Sequence, residues 1–345
     1  MSLSLKELQS ARIIIRGAGI IGLSIAWSLI QRGLRPVIVD PSPVRQRASW
    51  AAAGMLSAQF EALIEPEVSL QLKVIAERSA TLWKEFASNL ERESKIAVRY
   101  WSGPTIGLLT AAQLDYFRDL NRLEAINAAP DRRELEQFAP GLNSGRRSAI
   151  LFPRDGQVEN RAALEALLKI CEPYIVRQVD NVEENADLLI DCMGWQSDGV
   201  RPVKGQMLAL RPHSSHPRVP VRWGASYIVP KTDRTIIGAT VEPDDTSFEV
   251  SNSVRDNLLA AACDLFPDLG NVDDIIEVWS GMRPMARRQR PIIGWLQQDQ
   301  HYIASGHYRN GILLAPVTAK IFLNDLLGED EDFTVDVSEL RPDKR

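Results

Sequence analysis

Residues 12–40 read RIIIRGAGIIGLSIAWSLIQRGLRPVIVD, and their pattern predicts the fold class. The three isoleucines at 13–15 predict a short strand buried on both faces, as in a parallel sheet. A glycine turn follows, residues 23–31 favour a helix that stops at Gly33, and residues 36–39 predict a second strand. Strand, glycine turn, helix and strand stand in the order of a dinucleotide-binding βαβ unit, so we predict an α/β fold.

The turn itself, Gly17-Ala18-Gly19-Ile20-Ile21-Gly22, fits the pattern GxGxxG. Gly17 permits the tight turn, Gly19 lets the backbone approach a pyrophosphate, and Gly22 lets the helix pack close to the sheet. The free N–H groups at the start of the helix would face the phosphates. Asp40 ends the second strand, where a carboxylate would accept hydrogen bonds from an adenosine ribose. The alternative is a purely structural role, in which the glycines serve strand–helix packing and Asp40 caps a loop.

Composition sets wider limits on the protein. The chain has 345 residues, 45% hydrophobic and 25% charged, with 40 Lys+Arg, 45 Asp+Glu and a formal net charge of -5. This length allows two or three domains. Cys171, Cys192 and Cys263 form no CxxC pair, which suits a reducing compartment and predicts a cytoplasmic location. The mild acidity argues against nucleic-acid or membrane partners, and no signal peptide or transmembrane segment is expected, so small molecules are the expected partners.

Several local patterns predict elements further along the chain. Apolar residues at helical spacing over 68–90 predict a long amphipathic helix. Thr110 and Gln113 form a capping box for a second helix. Asn160 is predicted to be the N-cap of a helix over 161–171. Short strands alternating with turns over 204–240 predict an antiparallel sheet.

The glycine turn leaves NAD and FAD open, because both cofactors share the adenosine diphosphate half. The small residues at 48–55 would let backbone lie against a flat, extended ligand, although such runs also occur where helices pack closely. Near the C-terminus a strand at 302–304 and a turn at Gly306 precede an apolar helix that begins at Gly311. The positive end of that helix would stabilise negative charge on a reduced flavin by about 1 kcal/mol.

Four segments carry a family resemblance: GAGIIGLSIAW at 17–27, ASWAAAGML at 48–56, RPVKGQMLAL at 201–210 and GHYRNGILLAP at 306–316. The first is shared with many flavoproteins and dehydrogenases, and the last is the most specific. Together they resemble the glycine oxidases, within the D-amino-acid oxidase group of FAD-dependent oxidoreductases. The resemblance implies a Rossmann-type, GR2-like FAD-binding domain (1–95, 148–203 and 285–345) and a second α+β substrate domain on an antiparallel sheet (96–147 and 204–284).

The motif and the resemblance together imply a set of residues that bind FAD. They are Gly17, Gly19, Ile20, Ile21, Gly22, Asp40, Pro41, Ala48, Ser49, Ala53, Gly54, Met55, Val179, Gly194, His307, Tyr308, Arg309, Asn310, Gly311, Ile312 and Leu313. The chain departs from the family between residues 174 and 191, where a short polar link replaces a β-meander. That departure makes Val179, which matches a residue touching the adenine, the weakest member of the set.

The resemblance also implies the substrate site. Arg283 matches an arginine that pairs with the substrate carboxylate, Tyr227 a tyrosine that donates to it, and Arg309 a second arginine, with Met55 beside them. A planar guanidinium holding both carboxylate oxygens would fix the substrate's position and angle together. Ala225 and Val241 replace larger family side chains, so we expect the pocket to differ in shape from the family's.

We expect no catalytic side chain in this site, because hydride would leave a neutral amine directly for flavin N5. His307 is expected to be structural, and no metal site is predicted. The implied reaction is oxidative deamination of glycine, sarcosine and small D-amino acids to an oxo acid (glyoxylate from glycine), ammonia and hydrogen peroxide by a homo-oligomeric enzyme. The imine could also supply thiamine thiazole synthesis. Three alternatives stay open: a D-amino-acid dehydrogenase with another acceptor, a catalytically silent flavoprotein, and, least favoured, an NAD dehydrogenase.

Overall fold

The computed structural model describes residues 5–64, 69–119, 130–177, 186–296, 300–328 and 335–343. The strands in these residues are β1 Ile13–Arg16, β2 Val37–Val39, β3 Met55–Leu56, β4 Trp101–Ser102, β5 Thr105–Leu109, β6 Ser148–Phe152, β7 Gly156–Gln157, β8 Ile175–Val176, β9 Leu188–Asp191, β10 Val200–Leu210, β11 Val221–Trp223, β12 Ser226–Pro230, β13 Thr235–Gly238, β14 Ile275–Ala286, β15 Ile292–Trp295 and β16 His301–Ser305. The helices are α1 Leu5–Ser10, α2 Ile20–Gln31, α3 Ala48–Ala51, α4 Ala58–Ile64, α5 Leu70–Ser94, α6 Ala111–Asp119, α7 Arg132–Phe138, α8 Asn160–Cys171, α9 Asn252–Leu265 and α10 Gly311–Leu327.

A six-stranded sheet in the order β15-β16-β9-β1-β2-β8 carries the predicted βαβ unit. Every neighbouring pair is parallel except β15 with β16 at one edge. The isoleucines of β1 are at most 1% exposed. They are buried because the sheet is covered by helices, with α10 packed against α2 and α5, and α8 against the same two helices. The predicted α/β fold and its parallel sheet are confirmed.

The second large sheet has seven strands in the order β14-β10-β13-β12-β11-β5-β6. Its pairs are antiparallel except β11 with β5. One face packs on α9 through a core that includes Leu208, Ile228 and Ile237. The opposite face is open to the cavity described below. Strands β10 and β14 run without interruption past residues 203 and 284, where domain boundaries were expected.

Two of the local helix predictions are confirmed. In α5, Ile75 and Leu90 are buried, as their spacing predicted. The capping box before α6 is present, since Thr110 N–H donates to Gln113 Oε1 at 2.9 Å and Gln113 N–H donates back to Thr110 Oγ1 at 3.3 Å. Among the described helices none is both long and apolar enough to cross a membrane.

The prediction for Asn160 is wrong. The residue capping α8 is Glu159, and Asn160 is the first residue of the helix. Its fully buried amide donates instead to the backbone carbonyls of Ser49 at 2.9 Å and Trp50 at 3.2 Å. A buried amide gains more from satisfying a tertiary contact than from capping an accessible helix end. Asn160 therefore ties α8 to the segment that holds α3.

Candidate cofactor and substrate site

One cavity runs between the two large sheets and encloses about 1680 Å³ outside the protein atoms, part of it open solvent. One wall is made where the parallel strands β1, β2, β9 and β16 end, and it includes Gly17, Asp40, Cys192 and Gly306. Ligands of open α/β sheets bind at this carboxyl edge. The facing wall is the seven-stranded sheet, so a long ligand in this cavity would touch both.

The glycine turn shows which glycines the protein needs for itself and which leave space for a ligand. Gly17 has φ +99°, and a Cβ there would lie 2.5 Å from the carbonyl oxygen of Cys192. A Cβ on Gly22 would lie 2.1 Å from the carbonyl oxygen of Gly17, so Gly22 allows α2 to pack. A Cβ on Gly19 would meet only Ser49 Oγ, at an ordinary 3.5 Å. Among the described residues nothing else crowds Gly19, which leaves a cradle for a phosphate-bearing ligand.

Two helices begin at the cavity wall. At the start of α2, the N–H of Ile20 donates to Ser49 Oγ at 2.9 Å, and the N-cap Gly19 supplies no side-chain cap within the described part of the chain. At α10 the N-cap Asn310 likewise forms no side-chain cap bond with described residues. Both helices therefore point their positive dipole ends at the cavity. This arrangement fits a dinucleotide with a pyrophosphate at one helix and an electron-rich ring at the other.

Asp40 is nearly buried and braces the glycine turn. Its two carboxylate oxygens accept the N–H groups of Ala18 and Ser42, each at 2.7 Å. Arg47 Nε lies 3.2 Å from Asp40 Oδ2, and burial lowers the pKa of Arg47 while Asp40 opposes that change. A carboxylate offers about four acceptor positions, so these contacts leave capacity for a ribose hydroxyl.

The small residues at 48–55 serve packing as well as the cavity. A Cβ on Gly281 in β14 would lie 2.4 Å from the Cβ of Ala51, so these two residues let α3 sit directly on the sheet. The indole N–H of Trp279 donates to the carbonyl of Ala51 at 2.9 Å and fixes that contact. The segment also lines the cavity, so the prediction that it lies against a ligand stays a prediction.

Arg283 enters the cavity from β14, and its guanidinium lies over Gly205 of β10, two residues along from its register partner Val203. A Cβ on Gly205 would lie 2.3 Å from Arg283 Nη2. Its Nη1 donates to the carbonyls of Lys204 at 3.2 Å and Thr240 at 3.0 Å, which fixes the guanidinium plane. Burial lowers the pKa of Arg283, while the nearby Tyr227 opposes that change. An arginine keeps its charge even when buried, so this group is a positioned cation.

Tyr227 in β12 lies beside Arg283, and a glycine on the neighbouring strand likewise leaves space for its side chain. A Cβ on Gly238 would lie 2.8 Å from the Tyr227 hydroxyl, so β13 leaves room for the ring. Burial raises the pKa of Tyr227, and Arg283, Arg309 and Arg222 act in the opposite direction. The phenol is therefore a neutral donor at neutral pH. Arg309 Nη2 donates to the carbonyl of Ala225 at 3.2 Å, which brings a second predicted arginine to the same end.

Most of the predicted site residues meet in this one cavity. Those on its wall are Gly17, Gly19, Ile20, Ile21, Asp40, Pro41, Ala48, Ser49, Ala53, Gly54, Met55, Gly194, Tyr227, Arg283, His307, Tyr308, Arg309, Asn310, Gly311 and Ile312. Gly22 and Leu313 lie behind the wall, Gly22 for packing and Leu313 with its carbonyl bound by Ser79 and Trp83. Val179 lies outside the described residues.

His307 lies on the cavity wall. His307 is buried, its Nε2 lies 3.0 Å from Thr318 Oγ1, and burial lowers its pKa to about 3. The ring is therefore neutral and part of the wall. In the described part of the chain no three His, Cys, Asp or Glu side chains come together as metal ligands do. Val241, which replaces a family pocket residue, is 45% exposed and is not on the wall.

Three charged residues on the wall, Arg47, Glu61 and Arg222, were not predicted from the sequence. Arg222 stands between apolar neighbours in β11, which reads as an ordinary strand. The sequence feature that indicates the position of Arg222 is the two-residue connection at 224–225 between β11 and β12. Such a short loop fixes the register of the hairpin and sets Arg222 opposite Tyr227. Glu61 reaches the cavity from α4 through tertiary packing, for which the sequence held no comparable signal.

The fold and this cavity define a class, the dinucleotide-dependent oxidoreductases with a Rossmann-type sheet and a separate substrate sheet. The model of the FAD dependent oxidoreductase family matches residues 12–324, and the chain belongs to that family. Its cofactor is therefore FAD, and the wall offers features that suit that group: the open space at Gly19, the N-terminal ends of α2 and α10, and the Asp40 carboxylate.

Three relatives place the chain within the family. It is 30% identical to the bifunctional protein ThiO/ThiG of Nostoc sp. over 93% of this chain and 53% of that protein, so the chain spans about half the length of that relative. It is 30% identical to a proposed thiamine biosynthesis oxidoreductase, ThiO, of Rhizobium etli, over 92% of this chain and 97% of that one. The crystal structure of glycine oxidase from Geobacillus kaustophilus is similar with a TM-score of 0.84 and 26% identity, covering 97% of this chain and 99% of that one.

Proposed function

We propose that the protein oxidises small amino acids, glycine first, with sarcosine and short D-amino acids as further substrates, and that oxygen is the electron acceptor. The observation that carries this proposal is the pair of Arg283 and Tyr227 on the cavity wall, a fixed cation and a neutral donor beside one another. That pair suits a small carboxylate. The similarity to a glycine oxidase over nearly the whole chain supports the choice of substrate.

The cofactor half of the cavity is proposed to hold FAD against the residues on the wall. Gly19, Ile20 and Ile21 would bind the pyrophosphate, Asp40 the ribose, and residues 307–312 the flavin at the start of α10. FAD bound there would supply a hydride acceptor for the substrate and the means to reduce oxygen to hydrogen peroxide. We also propose the domain division given above, with the two sheets as the centres of the two domains.

The protein's own contribution at the substrate end is binding and orientation. Arg283 Nη1 is held by two backbone carbonyls, so the remaining donors of its guanidinium are presented in a fixed plane to a carboxylate. The neutral phenol of Tyr227 adds a hydrogen bond to the same group. His307 is neutral, hydrogen-bonded to Thr318 and a weak base at neutral pH, because burial lowers its pKa to about 3. Rate enhancement would then come from positioning the α-carbon.

The proposed product is an imine that hydrolyses to an oxo acid and ammonia. Because two of the relatives are called ThiO and one of them is assigned to thiamine biosynthesis, we propose thiazole synthesis as a further use of the imine. An aerobic assay of the yellow holoprotein with glycine, sarcosine and D-alanine tests the oxidase. Oxygen uptake with matching peroxide supports it. Reduction of the flavin without oxygen uptake would point to a dehydrogenase, and bound flavin that no amino acid reduces would point to a silent flavoprotein.

A further inference from the structure

Arg222 shares one face of the seven-stranded sheet with the substrate-binding residues. It pairs with Tyr227 across β11 and β12, and with Gly107 across β11 and β5. Tyr227 in turn pairs with Gly238 in β13. Directly opposed residues have Cβ atoms about 5 Å apart on the same face. Arg222 therefore lies immediately beside Tyr227, on the side away from Arg283.

The surroundings of Arg222 form a built site. The side chain is 2% exposed, and its guanidinium carbon lies 4.1 Å from the centre of the Phe60 ring. A Cβ on Gly107 would lie 2.7 Å from that ring, so the glycine makes room for it. Arg222 Nη1 lies 2.6 Å from Glu61 Oε1. The guanidinium is thus fixed by an aromatic face on one side and by a carboxylate at one edge.

This guanidinium is incompletely satisfied by the protein. Neither Nε nor Nη1 of Arg222 has a hydrogen bond of acceptable geometry among the described residues, although Glu61 lies close to Nη1. A buried charged group left without hydrogen-bond partners is costly and rare. The ion pair with Glu61 meets the charge of Arg222 at Nη1, and Nε is left without an acceptor among the described residues. An unpartnered donor on a cavity wall is where a ligand acceptor belongs.

We propose that Arg222, on its Phe60 platform, forms a second anion-binding subsite of the substrate pocket. The preferred substrates would then include small amines that carry a second carboxylate in addition to the one held by Arg283. This inference rests on the proposed function for the assignment of the first carboxylate. The second carboxylate would accept hydrogen bonds from Arg222 at a buried position, where a charge-assisted bond changes affinity by about ten- to a hundredfold.

Two unreactive ligands test the subsite without any oxidation. Diglycolate and methoxyacetate are the oxygen analogues of iminodiacetate and sarcosine, and they differ by one carboxylate. Each is titrated into the FAD-loaded protein while the visible flavin spectrum and the heat of binding are followed. We expect diglycolate to bind at least tenfold more tightly than methoxyacetate. Equal dissociation constants, or no binding of diglycolate, would overturn the proposal.

The variants locate the effect at Arg222. We expect Arg222→Met to bring the ratio of the two dissociation constants close to one while methoxyacetate binds as before, and the exposed Arg218→Met to leave the ratio unchanged. Arg222→Met leaves the Glu61 carboxylate without this partner, which could prevent folding. In that case the double variant Arg222→Met/Glu61→Gln is measured in place of the single variant. A ratio that persists in the double variant would show that the pair is structural only. If the ligands behave as expected but neither iminodiacetate nor glycine reduces the flavin, the proposed function fails and the subsite stands.

Discussion

Replacing Gly19 by alanine should weaken FAD binding without harming the fold. Gly19 has φ −75° and ψ 176°, a conformation open to alanine, and its Cβ would make only an ordinary contact with Ser49 Oγ. Gly→Ala at a compatible position stabilises a chain by roughly 0.4–1 kcal/mol. The methyl group would, however, stand where the pyrophosphate must approach. A misfit of this size costs about 1–3 kcal/mol, which is roughly a 5- to 150-fold increase in the dissociation constant for FAD.

Gly22→Ala is the matched control, with the opposite expectation. Its Cβ would lie 2.1 Å from the carbonyl oxygen of Gly17, and a backbone atom cannot move away cheaply. The helix-propensity gain of about 1 kcal/mol is smaller than the strain, so the apoprotein should lose stability. Denaturant unfolding of the apoproteins and FAD titration separate the two effects. Wild-type FAD affinity in Gly19→Ala, or an equal loss of apoprotein stability in both variants, would refute the assignment of the turn.

Two further predictions concern the substrate end and the pH dependence of stability. Arg283→Ala should raise the KM for glycine by about 10- to 150-fold with FAD still bound, because a charge-assisted hydrogen bond contributes about 1.5–3 kcal/mol. The control variant Arg287→Ala, on the exposed hairpin, should leave the KM unchanged. Near-normal kinetics in Arg283→Ala would remove that residue from the pocket. Burial raises the pKa of the Asp155 carboxyl to about 8, against 3.8 in the unfolded chain, so between these values the folded protein holds a proton that the unfolded chain has lost. Between about pH 4 and pH 8 the free energy of unfolding should therefore fall with rising pH, relative to Asp155→Asn, by up to about 1.4 kcal/mol per pH unit. Parallel plots of unfolding free energy against pH for the two proteins would contradict this.

The cofactor end could be predicted because its rules are local. A buried β-branched run, a glycine turn and a helix start each depend on neighbours within a few residues, and β1, α2 and α10 formed where the pattern placed them. The positions of the glycines inside strands contained a further signal for the site. Glycines inside strands mark close approach, and Gly205 and Gly238 make room for Arg283 and Tyr227.

The rest depended on tertiary contacts that no local pattern encodes. Asn160 has the chemistry of an N-cap, yet its burial against the carbonyls of residues 49 and 50 decides its role. Glu61 meets Arg222 only when α4 packs beside the second sheet. Arg222 itself was within reach of sequence reasoning, since a two-residue loop leaves one register in which it faces Tyr227. Register arguments would therefore have found one of the three charged wall residues that were not predicted.

Anaerobic addition of glycine to the FAD-loaded protein tests the central claim most directly, because it isolates electron transfer from substrate to flavin from any later step with oxygen. The account predicts that the main visible absorption band of the oxidised flavin bleaches, at a rate that saturates with glycine and that is greatly reduced at low glycine in Arg283→Ala. An unchanged spectrum at saturating glycine, sarcosine and D-alanine, in a protein that holds FAD, would contradict it.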